Sequence, residues 1–75
     1  MQRSEAAERA LGFADDCEER ANHWDDQAAD LRKRASVQPD HRVAARMRDS
    51  AARCGDLAAT CRASAAAQRS SARLL

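Results

Sequence analysis

Alanine recurs at every seventh position through both halves of this chain. The two series are Ala7, Ala14, Ala21, Ala28 and Ala35, followed by Ala44, Ala51, Ala58, Ala65 and Ala72. A seven-residue apolar repeat is typical of helices that pack along a common seam. Alanine at each of these positions predicts that the helix axes approach closely. The pattern therefore predicts an all-α fold.

One short break separates the two alanine series, and it contains the single proline, Pro39. We predict one domain over residues 1–75, with helix 1 over about 4–36, a turn at 37–39 and helix 2 over about 40–73. Ser4 is a favourable N-cap for helix 1. Pro39 suits the first turn of helix 2, because its missing N–H needs no partner there.

Three positions after each alanine stands a second residue that faces the same seam. These residues are Ala10, Cys17, Trp24 and Leu31 in helix 1, and Met47, Cys54, Cys61 and Gln68 in helix 2. When the chain folds back at Pro39, alanine meets alanine, and the position numbers of facing alanines keep a constant sum. This is the condition for an antiparallel two-helix hairpin with an alanine-rich heptad seam, and it also sets Glu18 beside Arg62. The central seam residues are Ala14, Ala21, Ala28, Ala51, Ala58, Ala65 and Trp24.

Two glycines oppose this simple picture, because glycine costs about 1 kcal/mol relative to alanine inside a helix. Gly55 in particular offers an alternative in which helix 2 ends there and a third helix begins. The alanine spacing continues unbroken from Ala51 to Ala58, so we predict that helix 2 is continuous. Gly12 is expected to lie inside helix 1 in the same way.

A further set of apolar residues lies outside the seam. Helix 2 carries a second alanine stripe, and larger apolar side chains flank the seam on its other side: Ala45, Ala52, Ala59 and Ala66, with Val43, Leu57 and Phe13. One partner helix cannot cover all of these positions. We therefore predict a homodimer in which two hairpins form a four-helix bundle; the alternative is that the extra alanines are surface residues with high helix propensity.

Composition supports the need for a partner. The chain has one Trp, one Phe and no Tyr, and much of its apolar content is alanine, so the core of a single copy is expected to be thin. The net charge is only +1. Residues 1–36 carry net charge −3, whereas residues 37–75 carry +4, so the two halves are complementary in charge.

Three cysteines are the best candidates for chemistry, and three interpretations stay open. Cys17, Cys54 and Cys61 can be reduced thiols that pack as small apolar residues. Cys17 and Cys61 face each other in the predicted hairpin and could form a disulfide. The three thiols could also bind Cu(I) or zinc, although Cys54 and Cys61 lack the short spacing of usual zinc ligands.

Other functional classes have weaker support. The acidic run at residues 15–19 and the pair Asp25-Asp26 fall mainly on outward positions, and His23 and His41 lie near no nucleophile, so no catalytic residues and no cofactor are expected. Arg42, Arg46 and Arg53 could form a basic stripe, but no aromatic platform accompanies it, and nucleic-acid binding is not favoured. Neither a signal peptide nor a membrane span is apparent, which favours a cytoplasmic protein.

The sequence thus favours a small non-enzymatic interaction or assembly module that acts through self-association or by binding a protein partner. The first alternative is a thiol-based metal or redox protein that uses Cys17, Cys54 and Cys61. The second alternative is a weak nucleic-acid-binding regulator.

Overall fold

The computed structural model describes residues 4–75, and within this range the chain forms two long α-helices and no strand. Helix α1 spans Glu5–Val37 and helix α2 spans His41–Leu74. The two helices pack antiparallel along their whole length. The Cα atoms occupy a rod of 59 × 13 × 11 Å, so the all-α hairpin predicted from the sequence is confirmed.

Each helix begins at a side chain that satisfies free backbone N–H groups. Ser4 caps α1, where its hydroxyl oxygen accepts a hydrogen bond from the Ala7 N–H at 3.1 Å. Asp40 caps α2, where one carboxylate oxygen accepts from the N–H groups of Arg42 and Val43 at 2.9 and 3.3 Å. The carboxylate also places negative charge at the positive end of the helix.

The connection between the helices covers residues 38–40 and is shifted by one residue from the predicted turn at 37–39. Val37 still belongs to α1, and Pro39 lies before the cap Asp40, outside the first turn of α2. The Asp40 N–H donates to the side-chain oxygen of Gln38 at 3.2 Å. Because Asp40 supplies the cap, the helical hydrogen-bond pattern begins only at His41. Gln38, the residue before Pro39, is extended, which is the conformation that a following proline favours.

The side chains buried between the helices are almost all alanine. Cys17 is the largest fully buried side chain, and Trp24 is only half-buried. An indole is too large for a gap whose width alanine sets, which explains why Trp24 does not fill the core. The remaining buried side chains within residues 4–75 are Ala7, Ala10, Ala14, Ala21, Ala28, Ala35, Ala44, Ala51, Ala58 and Ala65.

Both glycines lie inside continuous helix, so α2 does not break at Gly55. A Cβ atom built at Gly12 or Gly55 meets no atom within 4 Å. Neither glycine is therefore required for close approach of the two helices in the hairpin.

Candidate interaction surface

The two long faces of the hairpin differ in chemistry. Along a helix, the residue four positions after a buried alanine lies about 40° to one side of that alanine. The residue immediately before the alanine lies about 100° to its other side. The first set forms what we call the ion-pair face: Leu11, Glu18, Asp25, Arg32, Arg48, Gly55, Arg62 and Arg69. The second set forms what we call the Phe13–Leu57 face: Ala6, Phe13, Arg20, Gln27, Arg34, Val43, Ser50, Leu57 and Ser64.

The ion-pair face is crossed by salt bridges between the helices. Arg62 binds the Asp25 carboxylate and also donates to the Asn22 side-chain oxygen at 3.3 Å. Arg69 contacts Glu18 at 3.0 Å, and its other terminal nitrogen lies 3.6 Å from Asp15. These contacts pair Arg62 and Arg69 of α2 with carboxylates of α1 on one side of the hairpin.

The ion pair with Asp25 also affects the pKa of Arg62. The hydrogen bond to Asp25 raises the pKa of Arg62 above its ordinary value, with smaller contributions from the negative charges of Asp25 and Glu18 and an opposing effect of burial. An arginine guanidinium is protonated at every physiological pH with or without this effect. Because both side chains are substantially exposed, solvent screens the pair and limits its effect on stability.

The observed pairing differs by one heptad from the pairing that the sequence predicts. Heptad spacing sets Glu18 beside Arg62, but Glu18 binds Arg69 and Arg62 binds Asp25. Helical side chains lean towards the N-terminus of their own helix. In an antiparallel pair the two sets lean in opposite directions along the rod, so long side chains meet diagonally. Sequence reasoning misses Asp25 and Arg69 for this reason, and the lean of the side chains is the signal that identifies them.

No salt bridge crosses the Phe13–Leu57 face in the part of the chain that the structure describes. Half of the Phe13 surface is exposed, as is 45% of the Leu57 surface. The Arg20 guanidinium carbon lies 5.9 Å from the centre of the Phe13 ring. Arg20 also donates to the Cys17 sulfur at 3.2 Å. This face is therefore a mixed apolar and hydroxyl-bearing surface, and Arg20 is held against it by contacts within α1.

Trp24 borders an open groove on the surface of α1. The ring of His23 packs edge-on to Trp24, with ring centres 5.3 Å apart and an angle of 64° between the rings. Asp16, Glu19 and Arg20 line the rest of the groove. The groove is shallow, so the arrangement offers a contact surface and no enclosed substrate site.

The three cysteines are free thiols. Cys17 is buried, whereas Cys54 and Cys61 are half-buried. The structure brings Cys17 together with Ala14 and Ala65 in one cluster of buried residues. The disulfide between Cys17 and Cys61 that the sequence leaves open is not formed, and Cys17 packs as a small apolar side chain against alanine.

The hairpin does not gather its metal-ligating side chains. Within residues 4–75 no three His, Cys, Asp or Glu side chains come together in a group that could hold a metal ion, so the three thiols of one chain are not brought into a metal site. Neither α1 nor α2 contains a stretch apolar enough to cross a membrane. Arg42, Arg46 and Arg53, the candidate basic stripe for nucleic acid, are all exposed on α2.

Comparison of the chain with protein-family models, with curated proteins and with solved structures gives no match. Any functional interpretation therefore depends on the geometry and chemistry of the hairpin itself.

Proposed function

We propose that this chain is a non-enzymatic helical assembly module that acts by self-association. In this proposal two hairpins, each packed along an alanine-rich heptad seam, form a four-helix bundle. The observation that carries the proposal is the exposed apolar surface of Phe13 and Leu57 on the face that, among residues 4–75, no salt bridge between the helices crosses. A protein partner of different sequence is the alternative occupant of this surface.

The seam explains why one hairpin benefits from a second copy. A buried alanine contributes a single methyl group, worth about 0.8 kcal/mol, whereas burial of a leucine contributes about 1.5–3 kcal/mol. The largest fully buried side chain in the hairpin is that of Cys17. A core of this kind holds two helices close together but removes little apolar area from water.

The total accessible surface supports the same conclusion. The chain exposes 5597 Å², whereas a compact monomer of 8.2 kDa exposes about 4,500 Å² by the usual scaling with mass. The excess of roughly 1,000 Å² exceeds the approximately 800 Å² that each partner buries in a standard stable interface. A second hairpin packed lengthwise on the rod removes an area of this size.

The proposed setting is the cytoplasm. Three free thiols in a chain of 75 residues support a reducing compartment.

Sedimentation equilibrium between about 1 and 100 µM tests the proposal. We expect a mass twice the chain mass of 8.2 kDa, and we expect Leu57→Glu to shift the protein towards monomer, because the substitution places a charge in the proposed interface. Ala59→Glu is the matched control, since it adds the same charge to the same helix. Ala59 belongs to the second alanine stripe, which is exposed on the side of α2 away from Leu57 and lies outside the proposed interface. A wild-type monomer throughout this range, or an equal effect of the two substitutions, contradicts the proposal.

A further inference from the structure

We propose that the second copy docks on the Phe13–Leu57 face with the two turns at the same end of the bundle, so that α1 of each chain lies beside α2 of the other. This inference rests on the proposed self-association and adds its geometry. Three features of the hairpin support it: the chemistry of its faces, the charge of its helices and the charge of the rim around the docking face.

The choice of face comes from the salt bridges. On the ion-pair face, Arg62 and Arg69 are bound to carboxylates of α1, and a second hairpin placed there would have to remove those charges from water. Burial of an ion pair costs more than the pair gains unless all its polar atoms are satisfied. The apolar side chains of the opposite face are Phe13, Leu57 and half-buried Val43, beside serines that can be covered at much smaller cost. Its charged side chains are Arg20 and Arg34 of α1, whereas α2 contributes no charge to this face from Val43 to Ser64.

Two-fold symmetry leaves two ways to place one hairpin face on another. If the turns lie at the same end, each α1 has α2 of the second copy as its neighbour. If the turns lie at opposite ends, α1 lies beside α1, and α2 lies beside α2.

The charges of the helices discriminate between the two arrangements. Helix α1 carries nine acidic and five basic side chains, a net charge of −4. Helix α2 carries two acidic and seven basic side chains, a net charge of +5. The arrangement with the turns at opposite ends places like charges together over the full length of both helices. The arrangement with the turns at the same end places −4 beside +5, which makes the two surfaces complementary.

The rim of the Phe13–Leu57 face shows the same complementarity locally. Residues two positions after a buried alanine of the two series border this face: they are Arg9, Asp16, His23, Asp30 and Val37 on α1, and Arg46, Arg53, Thr60 and Ala67 on α2. Among the described residues, Asp16, Arg46 and Arg53 take part in no salt bridge within the chain. With the turns at the same end, Asp30 of each copy lies level with the segment between Arg46 and Arg53 of the other, whereas Asp16 lies about 15 Å along the rod from the level of Arg53.

This arrangement also sets which apolar residues meet. A two-fold axis parallel to the rod keeps every residue at the same height as its copy. Phe13 therefore faces Phe13 of the second copy across the centre of the bundle, and Leu57 faces Leu57. Aromatic pairs of this kind stabilise an interface beyond the area that they bury.

The distance between two copies of one labelled residue tests the orientation. We choose His41→Cys, at the exposed start of α2 beside the turn, and Ser70→Cys, near the far end. Each is made in a background with Cys17→Ala, Cys54→Ser and Cys61→Ser and labelled with a nitroxide. The distance between the two labels is measured by pulsed electron–electron double resonance. With helices about 8–10 Å apart, turns at the same end predict label distances below about 30 Å at both sites. Turns at opposite ends of a 59 Å rod predict about 50 Å at position 41 and about 35–40 Å at position 70, which lies nearer the middle of the rod.

The outcomes separate the two proposals. Short distances at both sites support the orientation, whereas long distances at both sites overturn it and leave the self-association standing. Loss of dipolar coupling, with a monomeric mass for the wild-type protein, overturns both proposals. If the cysteine-free background does not fold, isotope-filtered NOEs in wild-type protein answer the same question: contacts from α1 of one copy to α2 of the other support the orientation, and contacts from α1 to α1 overturn it.

Discussion

The Glu18 carboxylate on α1 accepts a hydrogen bond from the Arg69 guanidinium on α2 at 3.0 Å, although Arg62 is the arginine level with it in the antiparallel pairing. Arg62 instead binds Asp25, one heptad further along α1. The two pairs therefore follow a common diagonal, which is the consequence of side chains that lean towards opposite ends of the rod.

The diagonal makes a prediction at Gly55. If the diagonal of these two pairs is continued by one heptad towards the turn, position 55 of α2 lies opposite Arg32 of α1. A side chain at position 55 has open space. We expect Gly55→Glu to be more stable than Gly55→Ala by about 0.2–1 kcal/mol, the usual contribution of an exposed ion pair. We expect Gly55→Lys to be less stable than Gly55→Ala, because it faces another positive charge.

Urea unfolding of the three variants at low salt checks this prediction. At low salt the Glu variant should be the most stable and the Lys variant the least. The differences in the free energy of unfolding should become smaller in about 1 M salt, since salt screens exposed charges. Equal stability of the Glu and Lys variants at low salt would show that position 55 does not face Arg32.

A corresponding prediction applies to Gly12 on α1, because the hairpin does not pack closely against it. It is exposed, and a Cβ atom there meets nothing within 4 Å. We expect Gly12→Ala to raise the free energy of unfolding by about 1 kcal/mol, because alanine has less backbone freedom to lose when the helix forms. Thermal unfolding followed by circular dichroism measures the effect, and a lower Tm for the variant would mean that another surface packs closely on Gly12.

We predict that replacing a buried alanine between the helices by a larger residue destabilises the hairpin. Ala58 is 1% exposed, so Ala58→Leu must push the two helices apart, and we expect it to cost about 1–3 kcal/mol. Ala59→Leu is the control, because Ala59 is exposed on the next position of the same helix, and its effect should lie within about 0.5 kcal/mol. Denaturant unfolding of the two variants compares them directly, and equal stability would argue against a tight packing at Ala58.

The three thiols are predicted to differ in reactivity. Cys17 is buried, whereas Cys54 and Cys61 are partly accessible, so a thiol reagent should modify Cys54 and Cys61 first and Cys17 most slowly. The slow phase should disappear in Cys17→Ala. A single reactive thiol in the non-reduced, denatured protein would instead reveal a disulfide.

The parts of the structure that the sequence predicts are those set by periodicity. The alanine repeat identifies both helices, and its continuation past Gly55 correctly predicts an unbroken α2. The cap at Ser4 is also correct, because a hydroxyl before a helical segment has a specific backbone partner. These features depend on residue spacing and on helix capping, and both can be assigned from residues that are neighbours in the sequence.

The details that the sequence does not predict depend on side-chain direction and size in three dimensions. Heptad spacing places Glu18 level with Arg62, but the lean of the side chains shifts the pairing to Arg69. Spacing also assigns Trp24 to the seam, yet the narrow gap between alanines leaves its indole only half-buried. The difference between the two faces could have been found from the sequence, since the residues before the alanines of α2 carry no charge from Val43 to Ser64.

Thermal unfolding at protein concentrations that span about a hundredfold range most directly tests whether this hairpin depends on a second copy. If folding and association are coupled, the Tm rises steadily with concentration, because mass action favours the folded dimer over unfolded chains. A cooperative transition whose Tm stays constant over the whole range would show that one hairpin folds by itself and would contradict the proposed assembly.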